Sequence, residues 1–263
     1  MAGWGLLGLW TLLLGVVIAS ILVAVGCIWV GDRALSDSIG QENNSALSPF
    51  LTCVALVFGA LLGFTVVVAW EQFSSAEANV TNEASTLATM YRQTVAMPAA
   101  EQSEMRVLLR SYADAVRGPE WAKQEGDGGT SDTARNAITG MYRVLGKQDP
   151  STASGPVNGE FLGQLTTLAS QRNTRVLDNE PRIPWLLWCG LLFGGIVLVG
   201  LMGFMRLESR RGHVILSGAV AVLLGLLLFI VYVLDHPFGT QLGVTSEPFT
   251  HSLEVFEAID RGS

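Results

Sequence analysis

Apolar residues in this chain gather into four long blocks separated by polar stretches of very unequal length. No Asp, Glu, Lys or Arg occurs in 1–31, 43–70, 183–205 or 212–234. Each block holds an apolar run of roughly 20 residues, the length a helix rising about 1.5 Å per residue needs to cross a hydrocarbon core of about 30 Å. The runs are Gly5 to Val30, Leu51 to Trp70, Ile183 to Met205 and His213 to Leu234. Trp4, Trp29, Trp70 and Trp185 stand near their ends, where an indole prefers the headgroup region. Core helices of a soluble protein would need runs of only about 10–14 residues, so four spanning helices are predicted. Val25-Gly26-Cys27 resembles a lipoprotein cleavage site, but Ile28-Trp29-Val30 carries the apolar run past it and no Lys or Arg precedes it. The first run therefore reads as a retained helix.

The polar stretch 71–182 also has helical periodicity. Phe73, Val80 and Leu87 recur every seven residues, with Ala84 and Tyr91 four residues after the last two. The pattern starts without a break from the second span, so one long helix is expected to run to about Ala96 or Met97, where Pro98 ends it. This apolar stripe needs a partner in water: the 99–117 or 158–178 helix, or the same helix of another copy. Further helices are expected over 99–117, with Leu108, Tyr112 and Ala115 on one face, over 133–146, and over 158–178, with Phe161, Leu165 and Leu168. Gly118-Pro119 and GDGGTSD (126–132) read as loop. Pro181 and Pro184 break the chain before the third span. No alternating strand pattern of useful length occurs. The expected fold is an all-α membrane protein with four transmembrane helices and a helical soluble insert between the second and third. Its parts are a first helix pair (1–70), the insert (71–182), a second pair (183–235) and a C-terminal tail (236–263). Small residues at helical spacing mark Gly59 and Gly63, Gly190 and Gly194, and Ser217, Ala221 and Gly225 as helix-packing positions, within one chain or between copies.

Charge sharpens this picture. Charged residues make up 15% of the chain, against about 25% in soluble domains, and most of them lie in 71–182. That excludes a single soluble globule, and three cysteines exclude a disulfide-stapled module. Arg206, Arg210 and Arg211 crowd the short loop 206–212, and Arg33 lies in the other short loop. The basic bias of short loops places both in the cytoplasm, with the termini and the insert outside. Glu71, Arg182 and Asp235 end or precede spans at one membrane face. A carboxylate at that depth is costly unless paired or hydrated, so Arg182 is expected to pair with Glu71 or Asp235. The other reading is a charged vestibule in which Arg182 attracts anions.

Catalytic chemistry is not legible. Gly3 to Gly8 matches GxGxxG but has no strand before it. Cys27, Cys53 and Cys189 all lie in spans, and no Cys or His pair has zinc-ligand spacing. Glu125, Asp127 and Asp132 lack the spacing of a calcium-binding hand. No enzyme, metal, cofactor or nucleic-acid partner is expected. No ionisable residue sits in mid-span, which argues against a proton pump and leaves open a pore lined by hydroxyls, backbone and apolar gates.

Trp70-Glu71-Gln72-Phe73, then Ala76-Glu77-Ala78, Glu83-Ala84 and Met90-Tyr91-Arg92, resemble a bacterial membrane-protein family with a bestrophin-like domain. Pro184 and Trp188 entering the third span are similar to its P-x-x-x-W. Leu234, Asp235, Pro237 and Phe238, followed by Val244 and Phe249, are similar to its closing motif. The resemblance covers about 50–263 and is weaker in 118–157; the first cytoplasmic loop departs from it in being Arg-poor. It implies a homo-oligomeric protein of the bacterial plasma membrane that passes or gates small ions, anions in particular, with the lipid bilayer as its surroundings. The alternative is a non-conducting scaffold or sensor whose insert binds a protein partner.

Overall fold

The computed structural model describes residues 6–34, 42–126, 129–147, 155–205, 207, 209–239 and 242–262. Gly3 and Gly5 of the glycine motif, Asp127 and Arg206 lie outside them. Among the described residues all regular structure is helical. The elements are α1 (Leu6–Ala34), α2 (Glu42–Gln93), α3 (Ala99–Ala115), α4 (Trp121–Gly126), α5 (Asp132–Gly146), α6 (Gly155–Leu177), α7 (Trp185–Gly203), α8 (Arg210–Asp235) and α9 (Glu247–Gly262). Helices α1, α2, α7 and α8 are long and apolar enough to cross a membrane.

Helix α2 is 52 residues long and runs from the second apolar block through the polar stripe. A 3-10 turn, Thr94–Ala96, follows it, and Met97 turns extended, because the residue before Pro98 is pushed out of the helical region. Helix α2 starts at Glu42, well ahead of the apolar run, and Pro49 lies inside it. Gly118-Pro119, expected as loop, is instead part of a π-helical segment, Val116–Glu120, which joins α3 to α4. A proline cannot donate its i→i−4 bond, and its ring crowds the preceding turn; the wider π turn relieves both. Burial of Val116, Glu120 and Trp121 holds the segment helical. Residues 236–263, expected as a tail, include α9, whose Phe249 and Phe256 are fully buried.

The chain divides into two compact units. The first comprises Phe73–Glu180 and His236–Ser263. Its core joins the α2 stripe of Val80, Ala84, Leu87 and Tyr91 to Met105, Leu109 and Tyr112 of α3, Met141 of α5, Phe161 and Leu165 of α6, and Phe249 and Phe256 of α9. The stripe thus finds its partners in its own chain. Tyr91 stacks on Phe256 with ring centroids 3.9 Å apart. Trp121 meets Phe238 and Phe249 edge-on, so two closing-motif residues fasten the C-terminal segment to α4.

The second unit comprises Gly5–Gln72 and Pro181–Asp235. Here α1, α7 and α8 pack against one another. A Cβ added at Gly203 would lie 2.6 Å from the Cys27 backbone carbonyl, so α1 and α7 touch through main chain. A Cβ at Gly225 would collide with the Ser20 hydroxyl of α1.

Candidate functional site

Helix α2 brings Glu83 into the core of the first unit in heptad register with Ala76, Val80 and Leu87. Helix α6 likewise continues Phe161, Leu165 and Leu168 into Arg172 and Arg175. Glu83, Glu120 and Arg175 are completely buried. Arg175 donates from Nε to Glu83 (2.7 Å) and from Nη2 to Glu120 (2.7 Å), and from Nη1 to the Gln124 side chain. Arg172 forks onto Glu120 at 3.1 and 2.6 Å. The Ser131 amide donates to Glu120 (2.7 Å) and the Tyr112 hydroxyl to Glu83 (2.6 Å). The Trp121 and Phe249 rings each lie 5.9 Å from the Arg175 guanidinium.

Each shift in this network has a physical cause. Burial pushes the Glu120 carboxyl up, but hydrogen bonds and charge from Arg172 and Arg175 outweigh it and hold the group below its usual range. Burial, followed by the Glu83 charge, drives the Tyr112 phenol well up, so it stays a donor. Burial works against the Arg175 charge, yet Glu83 and Glu120 raise it further, so it stays protonated. The site ties α2, α3, α4 and α6 together and has the chemistry of a cross-brace.

A second cluster pins α9. Asp260 accepts from the Tyr91 hydroxyl (2.8 and 2.9 Å), from Arg106 (2.8 Å) and from Arg110. Slight burial raises this carboxyl, and the bonds from Tyr91 and Arg110 more than reverse it. Among the described residues no three or more His, Cys, Asp or Glu side chains come together as a metal site would require.

At the junction of α7 and α8, buried Asp235 accepts from the amides of Arg182 (3.1 Å) and Ile183 (3.0 Å) and from the Trp188 indole (3.3 Å). Pro184 follows as the N-cap residue of α7. Asp235 and Arg182 are thus brought together through the Arg182 main chain, while Glu71 is exposed on α2. Of the packing positions, Gly194 lies against the Phe58 ring, Gly225 against Ser20, and Ser217 and Ala221 are buried. Gly59, Gly63 and Gly190 have no atom within 4 Å of where a Cβ would stand. Sequence reasoning missed Glu83, Glu120, Arg172, Arg175 and Asp260, and also Gly203 and Gly31, whose added Cβ would collide with the Gly203 carbonyl oxygen. For Glu83, Arg172 and Arg175 a signal existed: each is a charge in register with an apolar stripe.

The family profile described as a bestrophin-like domain matches residues 6–249. No curated protein matches the chain. Among solved structures, a variant of a bacterial bestrophin homologue from Klebsiella pneumoniae is similar over 94% of this chain and 98% of its own, with TM-score 0.72 and 12% identity. The same homologue in another crystal structure gives 93% and 98%, TM-score 0.69 and 13% identity. A variant described as a membrane protein gives 93% and 98%, TM-score 0.70 and 12% identity. At such identities the likeness shows the fold, and the profile carries the family. This chain, an all-helical membrane protein, belongs to the bestrophin-like family.

Proposed function

We propose that the chain assembles into a homo-oligomer that passes small anions across the bacterial plasma membrane. The observation that carries this reading is the surface of α2 within the second unit. Among its described residues only Phe58, Leu62, Thr65 and Ala69 are buried there, a single narrow stripe. Leu56, Val57, Phe64 and Val67 are exposed, and Gly59 and Gly63 face open space between them. A helix with small residues on an open apolar face lets another helix approach closely, and α2 presents two such glycines four residues apart. A pore built between copies of such a helix needs no fixed charge at its centre. Family membership supports the anion, and the proposed orientation puts both termini and the 71–182 region outside the cytoplasm.

Chloride efflux from liposomes containing the purified protein tests the reading, with mass measurement in mild detergent and nanodiscs alongside. Efflux that a Gly63→Leu substitution reduces together with the oligomer supports it. A monodisperse monomer without flux overturns it, and an oligomer without flux favours the scaffold.

A further inference from the structure

Helices α1, α7 and α8 enclose a crevice of about 440 Å³ in the second unit, within the usual size range of small-molecule sites. Its extent along the three helices is the informative feature. On α1 the lining runs from Leu12 to Val23, on α7 from Trp188 to Val199, and on α8 from Tyr232 back to Ala221. Each is the same number of residues long, so the crevice is about 16 Å deep at the rise of a helix. A hydrocarbon core about 30 Å thick gives each leaflet roughly that depth. One end therefore lies at the aromatic pair Trp188 and Tyr232, whose rings meet edge-on at 6.5 Å, near the ends of α7 and α8, where such residues prefer the membrane surface. The other end lies near mid-bilayer.

Room for the crevice comes from small residues, Ala19 and Ser20 on α1 and Gly195 on α7, while Leu192 and Ile196 on its rim are half exposed and leave it open along one side. The lining is apolar apart from the Ser20 hydroxyl and the aromatic pair at the mouth. A water molecule there would lack the two to four polar partners, about three on average, that buried waters take. We propose that this crevice holds one acyl chain of a phospholipid, entering beside Trp188 and Tyr232 and ending at the level of Val199 and Ala221. Such a chain would fill the seam between three spans and make lipid a structural component of the fold.

The test uses full-length protein in nanodiscs containing phosphatidylglycerol with a photoactivatable diazirine midway along one acyl chain. After irradiation, adducts should concentrate on Leu192, Ile196 and Leu224, and not on Leu14 or Ile215, which are exposed but lie outside the crevice. Ala19→Phe, from an exposed lining position, should abolish those adducts while Leu14→Phe leaves them unchanged. Ala19→Leu carries the same comparison should the larger ring impair folding. Adducts spread evenly over exposed apolar positions, or surviving both Ala19 variants, would overturn the proposal. So would a cysteine at Ile196 that cross-links to a second copy of the chain, since a neighbouring protomer would then cover the crevice.

Discussion

Replacing Arg175 with Met removes the one guanidinium that bridges both buried carboxylates. Glu120 keeps Arg172 and the Ser131 amide, whereas Glu83 keeps the Tyr112 hydroxyl. Solvent reaches neither carboxylate, as both are 0% exposed. Breaking a buried pair by removing one partner costs about 3–5 kcal/mol, because the remaining charge is left uncompensated. For a domain this size each kcal/mol lowers the melting temperature by roughly 3 °C, so R175M should melt about 10 °C or more below the parent. Adding Glu83→Gln removes the stranded charge. The double variant should therefore be more stable than R175M alone, with a coupling of about 1–3 kcal/mol. Thermal melting in detergent, followed by size-exclusion chromatography, measures both. An R175M loss below about 1 kcal/mol, or strict additivity of the two substitutions, would refute the bridging role.

Acid should loosen the first unit. Glu120 and Asp260 titrate below their ordinary values in the fold, so their stabilisation is complete above the ordinary carboxylate range and is lost as pH falls through their depressed values. Melting curves across that range should show the decline, and Glu120→Gln should flatten it. Gly203→Ala should cost about 1–3 kcal/mol by overpacking, since its methyl meets the Cys27 main chain, while Gly15→Ala, facing open space, should cost nothing measurable; equal effects would refute the contact. Asp235→Ala should destabilise the α7–α8 junction by about 1–3 kcal/mol by stranding buried amide donors, and Asp235→Asn, which keeps an acceptor, by less. Arg182→Gln should lower thermal stability if its side chain pairs with Glu71 or Asp235, and alter anion flux at constant stability if it lines a vestibule. In a cysteine-free background, a cysteine at Gly128 should react with an impermeant thiol reagent in intact cells; reaction only after lysis would invert the proposed orientation.

The long elements were legible because two independent signals agree on them. The α2 stripe keeps helical period from Phe73 to Tyr91, and Pro98 stops it. Helices α5 and α6 stand close to their expected limits for the same reason. Breaker residues were the weak signal: Gly118-Pro119 reads as loop, yet Val116 and Trp121 on either side are buried, and the chain accommodates the proline with a wider turn. Helix α9 was missed because Phe249 and Phe256, seven residues apart, were too sparse a pattern to separate from a tail. The partners of Glu83, Arg175 and Glu120 come from separate helices, and nothing local announces that they meet.

The two halves of α2 show why legibility differs between water and lipid. In water, a residue in register with Val80 and Leu87 is buried by the hydrophobic effect, so its partner is a matter of free energy and a charge there must be matched. Glu83 sits in that register and Arg175 answers it. In lipid the surrounding chains are as apolar as any side chain, so exposing Leu56, Val57 and Phe64 costs little and apolar character says nothing about contact. What survives as a signal is size, because only small residues let helices close to van der Waals distance. Gly194 and Gly225 follow that rule, and Gly31 and Gly203 follow it too, at span ends outside the small-residue series the sequence displays. By the same logic the predicted packing positions that meet nothing, Gly59 and Gly63 on α2 and Gly190 on α7, are places where a second copy of the chain gains by approaching.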